Sequence, residues 1–482
     1  MGPANGNLTQ GSVFKKLWWF TLPFIGANVL QSLYSMVDMY IVGRFATTAD
    51  VSAVSVSGTV IATFLMFIIG LSIGATVIVG QKIGAGEKDS LQSVCATAFT
   101  LALIVGAALV VIIAALAVPV LGWINTPKEA MHGATAYMLI CSIGFLFQSV
   151  YNMLAGILRG MGDSKSPLLF VGISTAFNII GDIILIGVCG LGAAGAAIAT
   201  VLAQLLCMIF GILYVKKRGF PFDFRFKNWR LEKTHVKSLL KVGVPVALQE
   251  FLVMFSFIII AGINNRFGLN ASAGAGILDK IFVFATIPTF AFNSSIAAMV
   301  AQNIGAKEQK RAVQCLIYGA LLSEAFAIVF FLLGLLIPDK VVGFFTTDAG
   351  VIKEGVAYFG GNKYEYLLCS LAFCINGFIN GTGHTKISLI GNVVSTYVVR
   401  IPACIIVGVV MNLGLLGVGY TFPFASFVQA LIGLIFILSG RWKRDVVSID
   451  QDVEGKVIKA EATDIPDDDI KEENGSHLDN DG

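Results

Sequence analysis

Four long stretches of this chain, 51–81, 90–127, 183–215 and 401–440, contain no Asp, Glu, Lys or Arg. A bilayer span needs about 20 apolar residues, so each stretch holds one or two spans. Backbone polar groups in lipid must be satisfied internally, which leaves helices or closed barrels. Barrel strands alternate in polarity every second residue, and these stretches do not. The predicted fold class is therefore an all-α polytopic membrane protein. Twelve transmembrane helices are predicted over 17–41, 52–79, 93–117, 134–157, 167–188, 192–214, 240–264, 273–300, 312–337, 355–378, 388–410 and 414–438. Composition agrees: only 13% of the 482 residues are charged, against about 25% in a soluble domain. Lys15 and Lys16 precede the first apolar stretch, with no small-residue cleavage site after it, so that stretch is expected to stay as a helix.

Basic residues set the orientation. One set of connecting segments holds 22 Lys and Arg, nine of them between 216 and 241; the other holds five, Arg44, Lys128, Arg266, Lys340 and Lys353. Both termini are thus expected in the cytoplasm, in a multi-pass cytoplasmic-membrane protein. The sequons at Asn7 and Asn474 are then chance matches on the wrong side. Residues 445–482 carry thirteen acids against three lysines, a composition expected to be disordered. The eight cysteines form no CxxC and no metal-ligand spacing, so they are expected to be small apolar fillers. There is no Walker sequence, hence no visible use of ATP. No cofactor and no nucleic-acid partner is expected, and the only metal considered is Na⁺.

The chain writes its turns twice. "VGQKIGAGEKD" (79–89) and "VAQNIGAKEQK" (300–310) agree at six of eleven positions, 221 residues apart. "GILRGMGDSKSP" (156–167) and "GFINGTGHTKIS" (377–388) repeat the same offset, and Pro23 matches Pro245 at 222. An offset nearly constant over 200 residues is an internal duplication. Six spans per half is even, so the halves are parallel repeats about an axis along the membrane normal. The expected domains are a first lobe (1–214), a basic aromatic cytoplasmic linker (215–240), a second lobe (241–440) and the acidic tail (441–482). Gly84, Gly305, Gly160 and Gly381 are expected to end helices cheaply. Two such lobes enclose a cleft and can rock about it.

With these motifs, Leu22-Pro23, "QSLYSMVDMYIVGRF" (31–45) and "VGVPVALQE" (242–250) complete a pattern that resembles the multidrug and toxic compound extrusion (MATE) family over about 15–440. The resemblance implies cation-coupled export of drugs or organic cations.

Ionisable groups inside a bilayer are costly and mark function. The first lobe has two, Asp38 and Asp182, at similar predicted depth; Asn178 lies one helical turn before Asp182, on the same face. Two carboxylates brought together out of water tend to share a proton, and with an amide they form a site for H⁺ or Na⁺. In the second half Asp38, Asn178 and Asp182 become Ile260, Arg400 and Cys404, so the site is not repeated. One MATE group places its cation site on acids matching Asp38 and Asp182; the resemblance adds Asn152 and Thr200 as polar lining. The second lobe offers Glu250, Asp279, Lys280, Glu324, Lys363, Glu365 and Arg400, nearly balanced in charge, for which internal ion pairs are the simplest expectation. Glu250 resembles the seventh-helix glutamate of another MATE group, and Glu365 matches its helix-ten acid less well.

The expected function is a monomeric antiporter seated in the lipid bilayer, driven by H⁺ or Na⁺, that exports drugs or lipophilic organic cations, amphipathic small molecules, by alternating access. Candidate cavity residues are Tyr34, Met36, Tyr40, Gln148, Tyr151 and Gln204, and Pro23 and Pro245 are candidate bending points. A rival is an exporter of a lipid-linked or anionic metabolite, favoured if Arg400, Lys280 and Lys363 face the cleft. A membrane enzyme would need clustered catalytic groups, and the four histidines are scattered.

Overall fold

The computed structural model describes residues 7–218, 220–223 and 228–443; the predicted tail from 444 onward and the sequon at Asn474 lie outside them. Among the described residues there is no strand. The first half comprises α1 (Val13–Phe45), α2 (Thr48–Gly84), α3 (Lys88–Trp123), α4 (Lys128–Gly160), α5 (Lys165–Asp182) and α6 (Gly192–Lys217). The second comprises α7 (Lys233–Asn264), α8 (Leu269–Gly305), α9 (Gln309–Leu336), a short α10 (Pro338–Gly343), α11 (Ala349–Asn362), α12 (Glu365–Gly381), α13 (Thr385–Val393), α14 (Ile401–Ala403) and α15 (Gly414–Leu438). Ten helical segments among the described residues are long and apolar enough to cross a membrane. α1 and the α11–α12 pair occupy the other two predicted spans.

Helices begin earlier than hydropathy placed them. α1 starts at Val13 rather than 17, and α7 at Lys233 rather than 240. Their first turns carry Lys15, Lys16, Lys233 and Lys237, which a helix end tolerates in water and a hydropathy window rejects. The connection between the halves is correspondingly shorter, and it is anchored: Phe222 and Trp229 lie 5.5 and 6.3 Å from the Phe99 ring of α3.

Three departures from regular α-helix were not predicted. α5 passes into a π-helical stretch, Ile183–Val188, directly after Asp182. α13 passes into a second, Val394–Arg400, and α14 into a third, Cys404–Val410. The first and third are repeat equivalents; the second, ending on Arg400, matches plain α-helix in the first half. The span predicted over 355–378 is instead broken at Lys363-Tyr364, which puts Glu365 in the first turn of α12.

The duplication is visible in the backbone. Gly86 (φ 77°) is matched by Lys307 (φ 61°), Gly162 (φ 82°) by Gly383 (φ 85°), and Gly192 (φ 53°) by Gly414 (φ 59°). All take the left-handed turn: Gly86, Lys307, Gly162 and Gly383 two residues beyond a helix end, Gly192 and Gly414 as the first residues of α6 and α15. Gly84, Gly305, Gly160 and Gly381 do end their helices, but their glycine serves close packing instead. A Cβ on Gly84 would lie 2.0 Å from the Gln302 carbonyl oxygen, and one on Gly305 would lie 2.0 Å from that of Gln81. A Cβ on Gly160 or Gly381 would lie 2.6 or 2.7 Å from the carbonyl of Thr76 or Ala297.

The Gly84–Gln302 and Gly305–Gln81 contacts join the halves at the end of the bundle where α1 begins, here called the basic end. The Gln81 side-chain amide donates to the Gly381 carbonyl at 3.2 Å, and the Gln302 amide donates to the Gly160 carbonyl at 2.8 Å. The pair is reciprocal: each repeat supplies one glutamine and one glycine. The segment before α1 lies across this crossing, since the Leu8 N–H donates to Gln302 Oε1 at 3.0 Å.

Helix α1 belongs to both halves. Leu17, Phe20 and Phe24 sit in one apolar cluster with Phe292, Ile296 and Phe378 of the second half. Farther along, Ile41 and Val42 sit in a cluster drawn from the first half only. A third cluster, around Tyr358 and Phe422, is drawn from the second half only. Mixed packing thus lies at the basic end, and each half has its own core toward the other.

Candidate functional site

Asp38 and Asp182 reach one place because two helices of the same direction carry them at the same depth. α1 presents Tyr34 and Asp38 one turn apart, and α5 presents Asn178 and Asp182 with the same spacing. Asp182 is 0% exposed, Asn178 1% and Asp38 8%. The two carboxyls face each other within hydrogen-bonding reach. With its amide nitrogen turned to the acid, Asn178 donates to Asp182 Oδ2 at 2.8 Å and accepts from the Thr200 N–H of α6 at 3.3 Å. The Tyr34 hydroxyl lies 3.1 Å from Thr200 Oγ1.

One oxygen of each acid, Oδ1 in both, has no hydrogen-bond partner. Among the described residues no cationic side chain forms an ion pair with either acid. Two buried carboxyls with no counter-charge and two unused oxygens fit a bound proton or a small monovalent cation. The donor set is oxygen only, with Thr200 and Tyr34 adding neutral oxygens, which suits a hard ion such as Na⁺.

The structure gathers Asp38, Asp182, Asn178 and Thr200, and adds Tyr34, one of the cavity candidates. Asn152 stays apart; its amide donates to the Gln148 carbonyl of its own helix at 2.9 Å. Sequence reasoning missed Tyr137 and Cys141 of α4, which flank Asp38. Nothing in their type or spacing distinguished them from core residues.

The cavity candidates do not share one surface. Met36 and Tyr40 are 56% and 71% exposed. Tyr151 donates its hydroxyl to the Pro167 carbonyl at 3.4 Å, steadying the start of α5. Gln204 packs against Gly144 of α4, and its Oε1 has no partner.

The second-half acids lie on α7, α8, α9 and α12. Glu250 accepts from the amide of its neighbour Gln249 at 3.3 Å. Glu365 is 1% exposed; it accepts from Ser426 at 2.9 Å and leaves Oε2 unpartnered. Arg400 lies 5.0 Å over the Phe422 ring, one turn from Ser426 on α15, with its Nε unpartnered. Asp279 and Lys280 are exposed, and Lys363 lies 5.4 Å from the Tyr364 ring. Among the described residues no ion pair forms between these groups, although Glu365 lies close enough to Arg400 to feel its charge.

A single family model, MatE, matches residues 23–184 and again 245–406. The chain belongs to the MatE family. Both matches begin on the paired prolines, Pro23 and Pro245, and keep the 222-residue offset. The MatE chain is 27% identical over 447 residues to the probable multidrug resistance protein YoeA of Bacillus subtilis, covering 91% of this chain and 96% of that one. Its fold is that of a MOP superfamily transporter from Pyrococcus furiosus, with a TM-score of 0.86, 20% identity, and coverage of 92% and 100%. It equally matches a multidrug resistance MATE transporter solved in an outward-facing conformation, with a TM-score of 0.84, 20% identity, and coverage of 93% and 99%. The protein is thus a multi-pass membrane transporter of the multidrug-efflux MATE family.

Proposed function

We propose that this protein is a cation-coupled antiporter that exports amphipathic organic cations across the cytoplasmic membrane by alternating access. The observation that carries this reading is the uncompensated acid pair Asp38/Asp182 on α1 and α5. Its position on α1 gives it leverage, since the first half of that helix packs on the second lobe. A proton or Na⁺ at the pair removes repulsion between α1 and α5 and favours one arrangement of α1. The organic cation favours the other, so by linkage each ion displaces its rival. Pro23 removes one backbone hydrogen bond from α1 within the stretch that packs on the second half, which makes it the natural bending point. The bias of Lys and Arg supports a cytoplasmic side for the basic end, both termini and the connection between the lobes. The crossed glutamine bonds then close the cleft on the cytoplasmic side, and the monomer is the working unit.

A second reading, export of an anionic cargo, is favoured by one observation: buried Arg400 makes no ion pair among the described residues, although Glu365 is near, and its Nε is unused. One experiment separates the two. The protein is reconstituted in liposomes and a fluorescent lipophilic cation is followed under an imposed pH gradient, then under an imposed Na⁺ gradient. Movement under either names the driving ion. No movement under both, by folded protein, rejects the organic-cation reading and leaves the anionic one.

A further inference from the structure

A cavity of about 500 Å³ opens at the basic end between the start of α1, the α4–α5 turn and the end of α6. Four cations line it: Lys15, Lys16, Lys165 and Arg218. Against them stands one acid, Asp163, whose carboxylate already serves the turn. Its Oδ1 accepts from the N–H groups of Lys165 and Ser166 at 3.1 and 3.0 Å, and its Oδ2 accepts from the Ser166 hydroxyl at 2.5 Å. Lys16 donates to the Asn7 carbonyl. Arg218 is held by its guanidinium lying 4.5 Å over the Tyr214 ring. Lys15, Lys165 and Arg218 make no ion pair among the described residues.

Apolar surface adjoins this charge. Phe20 and Tyr214 line the interior. Trp19, also on the lining, is 67% exposed. A concave cluster of unpaired cations at the ends of membrane helices, with an exposed indole beside it, has the chemistry of an interfacial phosphate site. We propose that this cavity binds the phosphate headgroup of an anionic phospholipid, with the acyl chains leaving past Trp19. A soluble phosphate would use the cations and not the aromatic side. The site joins α1, α5 and α6, the same helices that carry Asp38, Asn178, Asp182 and Thr200 farther along. The bound headgroup therefore fixes the spacing of these helices at their basic ends. The proposal concerns binding and does not depend on the transport reading.

The test uses the full chain in neutral phosphatidylcholine nanodiscs, titrated with phosphatidylglycerol and read by native mass spectrometry. Wild type is expected to retain one phosphatidylglycerol in preference to phosphatidylcholine. The variant Lys15→Gln/Lys165→Gln/Arg218→Gln is expected to bind it roughly a hundredfold more weakly, three charges at the surface being removed. Should the triple variant unfold, Lys15→Gln and Lys165→Gln alone are each expected to weaken retention about fivefold. The control Lys128→Gln/Lys340→Gln/Lys353→Gln, at the opposite end, is expected to bind as wild type. Equal retention by wild type and the cavity variants, or equal loss in the control, overturns the site. Displacement of the lipid by millimolar glycerol 3-phosphate, but not by glycerol, overturns the lipid assignment in favour of a soluble phosphate.

Discussion

A carboxyl group 0% exposed, with one oxygen unpartnered and no cation beside it, is an expensive thing to place in a membrane protein. Asp38 and Asp182 were legible in the sequence for that reason: a charge inside an apolar run stands out. Asn178 followed from its one-turn spacing. Tyr34 and Tyr137 were not legible as site residues, because a tyrosine in an apolar helix reads the same whether it faces an acid or the core. If the pair is the coupling site, Asp38→Asn keeps the shape and removes the exchangeable charge. Gradient-driven export is then expected to fall at least ~10-fold, with a thermal midpoint close to wild type, since a neutral amide in place of an unpaired buried acid has no large folding cost. Undiminished export by a folded Asp38→Asn protein would remove the first-lobe site from the mechanism. The glycines teach the opposite lesson. Their conservation of place between repeats suggested cheap helix ends, whereas a Cβ at Gly84 would meet the Gln302 carbonyl at 2.0 Å. Gly84→Ala is expected to destabilise the protein by about 1–3 kcal/mol through overpacking, measured as a lowered thermal midpoint. Gly86→Ala, where nothing lies within 4 Å but φ is 77°, is expected to cost only about 1 kcal/mol of backbone strain.

At the scale of elements, hydropathy found the ten long apolar segments because length and lack of charge are one-dimensional signals. It could not find the π-helical stretches or the break at Lys363-Tyr364, which arise from how neighbouring helices pack rather than from residue type. Nor could it find which half α1 packs on. The helix is apolar on most sides, so no stripe points to a partner. The crossed bonds of Gln81 and Gln302 belong to this scale: the repeated motif is a turn in each half and a clasp between halves. Replacing either glutamine with leucine leaves a buried glycine carbonyl unsatisfied, at about 1–2 kcal/mol. That is enough to raise the population of the opened basic end roughly tenfold. The readout is labelling of Ala301→Cys, buried in wild type, by an impermeant maleimide applied from the basic side. In a Cys189→Ser background, where the exposed native thiol is removed, faster labelling of the Gln81→Leu and Gln302→Leu variants is expected. Labelling at the wild-type rate would mean that the clasp does not hold that end.

For the whole molecule, the duplication gave the number of spans per half and their parallel relation, and the backbone repeats it turn for turn. It could not show that the halves interlock. α1 reaches into the second half, and α7 does the same in reverse: a Cβ on Gly74 of α2 would lie 2.8 Å from the Cα of Gly243 on α7. A repeat states which units are equivalent; it says nothing of which surfaces meet. The interlocking makes a strong demand on alternating access, because all this packing must separate for the basic end to open. Gly80 of α2 and Ala301 of α8 offer the place to test it, since a Cβ on Gly80 would lie 2.9 Å from that of Ala301. The Gly80→Cys/Ala301→Cys pair, again with Cys189→Ser, brings two Cβ atoms close to disulfide distance after a small adjustment. Oxidised, the two halves are tied where they must part, and export is expected to stop. Reduction is expected to restore it to the level of the unoxidised double mutant. Binding of the organic cation from the other end should survive oxidation, because the locked state leaves that end free. Export that continues through a quantitatively formed crosslink would mean that cargo passes without separation at the basic end, and rocking of the lobes would have to be abandoned as the mechanism.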